Sequence, residues 1–422
     1  MRLSFSNIGK VAKADIEIDG IAVVAGENDT GKSTIGKVLY SVFESFRDVD
    51  ESIQRIRRES LENALRDLVK PSQMNPGVEY LIDELAVSLM GKKQEIREES
   101  DDFLKKEIIT YISDNKKDLD YSDLTIDGKT LDGIVERVKA INSVDKKRLL
   151  SQVIANRFAE EFNDQINNIY SKKEAEIKLA VAGDSVRVSI KDDQVVNLEN
   201  VLNLSKTPVY IDGPSVLERN GMFIFGKRGS HDYNLQIMLR TPADKGNVID
   251  EILASDKLEA IEEIINTAFP EKIEMTGRFG RAVVAKEGEE AKLDARNLSS
   301  GVKTFAILKQ LLLNGCLQQK GTIILDEPEI HLHPEWQLVY AKTIVLLQKM
   351  FDMHVLLTTH SPYFLEAIEV YSAQEGIADR CHYYLARNED ASSFIFDVTG
   401  DTEQIYKQLA CPLQELENLQ YQ

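Results

Sequence analysis

Cysteine is scarce in this chain, which has only three among 422 residues. Cys316, Cys381 and Cys411 are scattered along the sequence and form no Cys-x-x-Cys pair. Disulfide frameworks and zinc knuckles need several closely spaced cysteines, so neither kind of site has support. A reducing compartment, the cytoplasm, is therefore the expected location.

Basic residues are few relative to acidic ones. The chain has 51 Lys and Arg against 70 Asp and Glu, which gives a net charge of −19. Because nonspecific affinity for nucleic acid comes from clustered positive charge, this balance argues against a protein that binds polyanions over its whole surface. A local basic groove is still compatible with this balance of charge. The best basic patch is Arg55–Arg58, which has acidic neighbours on both sides. A solvated helix face is favoured there over a nucleic-acid contact.

Long apolar runs are missing as well. No stretch approaches the roughly 18 apolar residues that a membrane-spanning helix needs. The N-terminal sequence MRLSFSNIGK lacks the apolar segment of a signal peptide. We therefore expect a protein that is neither secreted nor embedded in a membrane. Its 43% apolar and 29% charged residues are typical of a folded globular chain.

The pattern of strands and helices predicts an α/β fold with a helical insertion. RLSFSNI and ADIEI are predicted strands, GIAVVAG is typical of a strand buried in a parallel sheet, and a helix follows over Ser33–Phe46. From Glu44 to Tyr170, charged residues with Leu and Ile at helical spacing predict the insertion. Further on, a polar stretch over Arg219–Thr241 is predicted as loop, with extended chain in YNLQIMLRT. The last third alternates helices and strands, as in a doubly wound sheet.

These patterns divide the chain into five segments. They are a first α/β part in 1–47, a mainly helical insertion in 48–172, a return to β-structure in 173–217, a region of loop, helix and hairpin in 218–294, and a second α/β part in 295–422.

A glycine-rich loop lies between the buried strand GIAVVAG and the helix that follows it. The loop fits the pattern GxxxxGK[ST] with Gly26, Glu27, Asn28, Asp29, Thr30, Gly31, Lys32 and Ser33. Glycines permit a tight turn whose backbone N–H groups surround phosphates at a helix N-terminus, while Lys32 supplies positive charge and Ser33 a Mg²⁺ ligand. An ordinary glycine-rich turn is disfavoured, because both the strand and the helix are in place.

Two further segments carry chemistry. The apolar run TIIL precedes Asp326-Glu327, so two carboxylates leave the end of a buried strand together. Asp326 is suited to Mg²⁺ and Glu327 to polarising the water that attacks a γ-phosphate. LSSGVKT, with Ser299, Ser300 and Gly301, lies just ahead of a helix and is suited to an anion, although the residues alone favour an ordinary N-cap.

Together, the P-loop, LSSG, ILDEPE and TTHSP occur in an order that resembles the ABC-class ATPases. DEPEIHLHPEWQ resembles the branch related to SMC and RecF that contains the overcoming-lysogenization-defect family and its relatives in prokaryotic antiphage defence. The resemblance implies an ABC-type head, with a mixed sheet, an antiparallel β subdomain and a P-loop core. It implies that residues 26–34, which end in Thr34, are Walker A, that Ser299–Gly301 are the signature, and that Asp326 and Glu327 are Walker B. It also implies a D-loop at His331–His333 and a switch histidine at His360.

Two departures from the family pattern bear on this assignment. The signature is LSSG followed by Val302 rather than the LSGGQ of transporters, which favours the SMC-like branch. No Q-loop glutamine is assigned, since Tyr210–Gly213 ends a predicted strand without offering one.

His331, His333 and Trp336 allow alternative interpretations. A His-x-His pair can ligate a metal, but no third ligand is evident nearby, and Pro334 indicates that His333 occupies a helix cap. Trp336 is interpreted as helix-face packing rather than a platform for stacking bases.

The resemblance implies a homodimer that encloses two ATP molecules with Mg²⁺, because in that family the signature completes the P-loop of a second copy. The stretch after His360 is too short for the Toprim nuclease of the overcoming-lysogenization-defect proteins. We therefore predict a slow, regulatory ATPase that controls a separately encoded effector, a nuclease or toxin, in a defence system such as those related to Septu, PARIS or retrons. The alternative is a DNA-repair ATPase that clamps DNA directly. A transporter motor is third, because no coupling motif is visible.

Overall fold

The computed structural model describes residues 1–69, 74–92, 96, 99–115, 128–171, 173–218, 229–243, 248–276, 281–285 and 292–420. The chain divides into two compact units. The first combines Met1–Arg47 with Ile154–Gln422, and the second is Asp48–Val153. In the described part of the chain, no helix has both the length and the apolar character needed to cross a bilayer.

Fourteen strands and twelve helices are found among the described residues. The strands are β1 (Arg2–Ile8), β2 (Val11–Glu17), β3 (Ile21–Gly26), β4 (Ala175–Val181), β5 (Asp184–Lys191), β6 (Gln194–Glu199), β7 (Val209–Ile211), β8 (Lys272–Thr276), β9 (Arg281–Ala285), β10 (Lys292–Asp294), β11 (Thr322–Asp326), β12 (His354–Thr359), β13 (Cys381–Glu389) and β14 (Ser392–Asp397). The helices are α1 (Lys32–Ser45), α2 (Val49–Leu65), α3 (Pro76–Gly91), α4 (Asp101–Asn115), α5 (Gly128–Ser143), α6 (Lys146–Phe162), α7 (His231–Arg240), α8 (Val248–Ala268), α9 (Ser300–Leu313), α10 (Pro334–Phe351), α11 (Pro362–Gln374) and α12 (Glu403–Gln420).

The first unit is built on an eleven-stranded mixed sheet with the order β6-β5-β4-β1-β2-β14-β13-β3-β12-β11-β7. The five strands from β13 to β7 are parallel to one another. At the other side, β6, β5, β4, β1 and β2 pair with one another in antiparallel fashion. This topology confirms the predicted fold class, a mixed sheet with an antiparallel subdomain and a P-loop core.

The parallel part of the sheet is buried. All six residues of β3 are buried, as expected for a central strand covered on both faces. On one face, β3, β11 and β12 pack against Phe305 of α9, Tyr340 of α10 and Phe364 of α11. The rings of Phe305 and Tyr340 meet edge to face with centroids 5.3 Å apart. These helices hold the carboxyl ends of the strands in fixed positions.

The second unit is helical, as the charge-rich periodic sequence predicts. Its core contains leucines and isoleucines of α2, α3, α4 and α5 at helical spacing. Asn75 begins α3 by accepting hydrogen bonds from Gly77 N and Val78 N, with Pro76 in the first turn.

The basic patch Arg55–Arg58, interpreted as a solvated face, is only partly so. Arg57 is buried and donates to the carbonyl of Val144, and Arg58 pairs with Glu62 and Asp83. The guanidinium groups of Arg57 and Arg58 are therefore hydrogen-bonded or ion-paired within the second unit.

One sequence expectation differs from the structure. YNLQIMLRT is not extended, because His231–Arg240 is the helix α7, with the Ser230 hydroxyl accepting from Tyr233 N at its start. The helix α6 begins in the second unit, and its last turns belong to the first unit, where the Glu161 carboxylate accepts a hydrogen bond from His231 N.

Candidate nucleotide-binding site

The glycine-rich loop joins β3 to α1 at the carboxyl edge of the parallel strands. Gly31 has a φ of 76° and Asp29 a φ of 62°, in the left-handed region that glycine adopts most easily. Gly26 lies so close to β13 that a Cβ there would be 2.5 Å from the carbonyl oxygen of Ala386. Thr30 donates to the carbonyl of Glu27 at 2.8 Å and closes the turn. The sequence pattern thus corresponds to a real, tightly wound loop.

Lys32 is buried within this loop. Its Nζ donates to the carbonyls of Gly26 at 3.0 Å and Glu27 at 2.7 Å, and lies 3.1 Å from Oε1 of Glu327. A buried ammonium is stable only when it is paired and hydrogen-bonded, which these three oxygens achieve. The structure therefore brings together two predicted site residues from opposite ends of the sequence.

Ser33 and Asp326 meet at the same edge. Asp326 ends β11, its carboxylate accepts a hydrogen bond from the hydroxyl of Thr358, and the neighbouring hydroxyl of Ser33 favours its ionised form. Burial raises the pKa of Asp326, and the neighbouring charges of Glu327 and Asp212 act in the same direction. A hydroxyl and a carboxylate held together in this way match the oxygen ligands that Mg²⁺ prefers. These donors fit the predicted metal.

Glu327 has a strained backbone, with a φ of 48°. Its amide donates to the hydroxyl of Thr358 at 3.0 Å, which fixes this geometry. Strain of this kind is typical of functional sites, where the surrounding structure over-determines it. It directs the carboxylate towards Lys32 and His360.

His360 follows β12 and faces Glu327, with 3.6 Å between its Nδ1 and Oε2 of the carboxylate. The imidazole lowers the pKa of Glu327 to about 2 and the ammonium of Lys32 adds to this effect, against the opposing influence of burial. In turn, Glu327 raises the pKa of His360. Glu327 is consequently an anion at neutral pH, the form that can accept a proton from water or orient it.

The signature residues lie at the start of α9. Ser299 is the N-cap, and its hydroxyl accepts from Val302 N at 3.4 Å. A Cβ at Gly301 would be 2.7 Å from the carbonyl of His331, so this glycine allows the helix start to approach the segment after Walker B. The nucleotide role of Ser299, Ser300 and Gly301 stays a prediction.

The contacts of His333 and Trp336 bear on their alternative interpretations. His333 caps α10, with its Nδ1 accepting from Glu335 N at 3.4 Å. Trp336 packs edge to face on Phe305 with ring centroids 5.9 Å apart. His333 therefore forms the predicted helix cap, and Trp336 makes the predicted packing contact on a helix face.

A charged triad near Asp326, in which Glu161 is buried and Asp212 is 40% exposed, has no counterpart among the sequence motifs. His231 Nδ1 lies 2.6 Å from Oε2 of Glu161, and its Nε2 lies 3.0 Å from Oδ2 of Asp212. Although burial opposes it, hydrogen bonds to Asp212 and Glu161 raise the pKa of His231 to about 10. Asp212, His231 and Asp232 could geometrically surround a metal ion, with ligand atoms within 4.8 Å of one another. Since both ring nitrogens of His231 face carboxylates, the triad is better described as an ion-paired cluster.

Known proteins are similar to this chain over most or part of its length. Residues 1–365 match the family described as the AAA ATPase domain. A 122-residue segment is 32% identical to the retron Vc95 probable ATPase of Vibrio cholerae serotype O1 biovar El Tor, and it covers 26% of this chain and 22% of that protein. A 52-residue segment is 38% identical to the Septu protein PtuA of Bacillus thuringiensis, and it covers 12% of each chain.

Among solved structures, the SmcHead bound to the C-winged helix domain of ScpA is similar with a TM-score of 0.45 and 11% identity, over 96% of this chain and 98% of that one. The matched segments of the retron and Septu proteins span less than a quarter of their lengths, 22% and 12%. The family match, by contrast, runs from the first strand past His360. The resemblance inferred from the motifs is confirmed, and the chain belongs to the AAA ATPase domain family.

Proposed function

We propose that this ATPase binds ATP with Mg²⁺ at the carboxyl edge of β3, β11 and β12 and hydrolyses it slowly. One observation carries the proposal: Lys32 and His360 both contact Glu327 there, beside Asp326 and the hydroxyl of Ser33. Ligands of open α/β sheets bind at this edge, because successive strand ends and helix N-termini meet there.

Each residue has a distinct role in the proposed reaction. The backbone amides of residues 26–34 and the ammonium of Lys32 bind the phosphates. Ser33 and Asp326 hold Mg²⁺, which supplies positive charge to the phosphate oxygens when bound. Glu327 orients the attacking water and accepts its proton, and His360 donates a hydrogen bond to the γ-phosphate. Because ATP competes with Glu327 for Lys32, nucleotide binding releases the carboxylate towards the water.

We further propose that two copies enclose two ATP molecules, with Ser299–Gly301 of each copy completing the P-loop of the other. Support comes from the segment after Asp326-Glu327, which Gly301 of the signature contacts at the carbonyl of His331. Ile330, next to His331, is 50% exposed, and a second copy that covered this segment would remove its side chain from water.

The ATP-dependent dimer is proposed to regulate a separately encoded effector, a nuclease or toxin, in antiphage defence. The names of the retron and Septu relatives favour this role, and the net charge of −19 favours a protein partner over a nucleic acid. Direct clamping of DNA by an SMC-like or RecF-like ATPase is the second candidate, which the branch of the family itself supports.

The Glu327→Gln variant tests the reaction and the dimer together. We expect ATP binding to remain, turnover to fall by about 100-fold or more, and the dimer to persist with ATP in analytical ultracentrifugation. The control is Glu366→Gln, which changes an exposed carboxylate on α11 and should behave as the native protein does. Unchanged turnover in Glu327→Gln would show that another group activates the water.

The same variant separates the two candidate functions. It is co-expressed with the neighbouring genes of its own genome and purified with ATP or with ADP. Retention of a neighbour-encoded protein only with ATP supports the effector role. Retention of nuclease-sensitive DNA without such a protein supports the DNA clamp instead.

A further inference from the structure

Glu329 is an acidic residue that the assignments above leave without a role. It lies just beyond Glu327, in the segment after β11, and its side chain is 1% exposed. Burial raises the pKa of its carboxyl group. A carboxyl group in such a position is costly unless its oxygens are hydrogen-bonded, so its contacts indicate why an acidic residue stands there.

One carboxylate oxygen of Glu329 connects to the strand end that carries His360. Oε1 accepts from the hydroxyl of Thr359 at 2.5 Å and from the backbone N–H of His360 at 3.1 Å. The same hydroxyl of Thr359 accepts from Ser361 N at 3.0 Å, and Ser361 caps α11. Glu329 therefore ties together the last residue of β12, the backbone of His360 and the start of the next helix.

Glu329 also faces the imidazole. Its Oε1 is 3.7 Å from Nδ1 of His360, and Oε2 of Glu327 is 3.6 Å from the same nitrogen. Within the described residues, this Nδ1 and the Oε2 of Glu329 have no hydrogen-bond partner and are buried. The imidazole is thus held between two carboxylates, one proposed to act on water and one enclosed in the fold.

We propose that Glu329 is a positioning residue, which fixes the backbone and ring of His360 so that the imidazole faces Glu327 and the bound γ-phosphate. This inference rests on the proposed function. An apolar residue of similar volume would fill the same space, but it would leave the Thr359 hydroxyl and the His360 amide without their acceptor. The contact is specific to the switch segment, because both donors belong to consecutive residues of it.

A double-mutant cycle tests the inference. In steady-state ATP hydrolysis we expect His360→Ala to lower kcat by about 100-fold, and Glu329→Ala by at least about tenfold with KM within about twofold of native. Glu329→Gln retains an acceptor oxygen and should restore most of kcat. Because Glu329 acts through His360, the Glu329→Ala/His360→Ala double variant should be no slower than His360→Ala alone. Multiplied losses, or a raised KM in Glu329→Ala, would mean that Glu329 only supports the fold.

A readout without nucleotide accompanies the kinetics. In protein with ¹³C-labelled histidine, the ring signal of His360 is identified as the one missing from His360→Ala, among six histidines. Glu329→Ala should shift this signal, and the control Glu366→Ala should not. An unshifted signal would overturn the inference. If Glu329→Ala fails to fold, Thr359→Val removes the other partner of the same hydrogen bond, and the same shift and non-additivity are expected.

The two proposals fail differently. If His360→Ala hydrolyses ATP as fast as the native protein, the proposed role of His360 is wrong whatever Glu329 does. If His360→Ala is impaired while Glu329→Ala is fully active with an unshifted His360 signal, only the positioning role of Glu329 is wrong.

Discussion

Replacing His231 with Gln removes the cation from the triad formed with Glu161 and Asp212. The side chain of His231 is 12% exposed and that of Glu161 2%, so solvent screens this interaction weakly. The aromatic rings of Tyr40 and Tyr210 enclose the imidazole, the latter with a centroid distance of 4.6 Å. The variant therefore leaves a buried carboxylate without its partner, and we expect it to be destabilised by about 3 kcal/mol at neutral pH.

The dependence of the free energy of unfolding on pH gives a more specific expectation. The pKa of His231 is raised to about 10 in the folded protein, against an ordinary value near 6.5. The folded state therefore holds the proton more tightly. The resulting stabilisation is complete below the unfolded pKa and is lost as the pH rises towards 10. Each pH unit in that window changes the free energy of unfolding by about 1.4 kcal/mol. Between pH 7 and pH 8.5, the native protein should lose about 2 kcal/mol that the variant does not lose.

The measurement is urea unfolding at several pH values, followed by the fluorescence of Trp336. It is the only tryptophan in the chain, and it packs on Phe305 in the same compact unit as the triad. Thiols of the unfolded chain also ionise at the upper end of this window, whereas burial raises the pKa of Cys316 in the folded protein to about 11. Their effect is common to both proteins and cancels in the difference.

Tyr40→Phe is the matched control. It removes an acceptor that Asn234 contacts at 2.7 Å, but no charge, so it should lower stability and keep the native pH dependence. Native and His231→Gln curves that run parallel between pH 7 and pH 8.5 would show that the imidazole is not charged in the folded state, and would refute the reasoning.

Two further expectations concern the nucleotide. Lys32→Ala should weaken ATP binding by about 100-fold or more in isothermal titration calorimetry, because it removes the buried ammonium beside Glu327; tight binding by this variant would remove the P-loop assignment. Ser300→Arg should keep ATP binding and a native unfolding transition but lose hydrolysis, because a long cation at the start of α9 blocks the approach of a second copy; a fully active variant would contradict the two-copy site.

The positions of the glycine-rich loop and of Asp326-Glu327 could be predicted because their signals are local. A fully apolar strand, a glycine pattern and a helix follow one another within 21–45, and the carboxylates of Asp326 and Glu327 come directly after another apolar strand. Neighbouring parallel strands align their ends, so each motif needs only its own strand to be placed at the shared edge. The strained φ of Glu327 and its pairing with Lys32 are tertiary properties, which no local pattern encodes.

The error over α7 has a definite cause. Leu235, Ile237 and Leu239 alternate as in a strand, but Leu235 and Leu239 are also one helical turn apart. The structure buries Leu235, Gln236 and Leu239, which is the helical face, and the Ser230 cap supplies the start signal. A short apolar stretch can fit both the two-residue period of a strand and the 3.6-residue period of a helix, and tertiary packing decides between them.

The triad could not be predicted, because its members come from three unconnected parts of the sequence. Glu161 lies at the end of α6, Asp212 directly after β7 and His231 at the start of α7, and no pattern relates their spacing. The order of the strands in the sheet could not be predicted either. Only the pairing of Ile211 with Leu325 places Asp212 beside Asp326.

That placement accounts for the charge on His231. The ends of β7 and β11 set Asp212 next to Asp326, and the charge of Asp212 contributes to the raised pKa of Asp326. With Glu327 beside them, three carboxyl groups gather at one edge, where the charges of Asp212 and Glu327 disfavour the ionised form of Asp326. Lys32 offsets the charge of Glu327, and His231 offsets that of Asp212 through a contact of 3.0 Å. A neutral residue at position 231 would leave Asp212 to repel Asp326. The cation of the triad, by offsetting the charge of Asp212, therefore favours the ionised form of Asp326 that the proposed Mg²⁺ site needs.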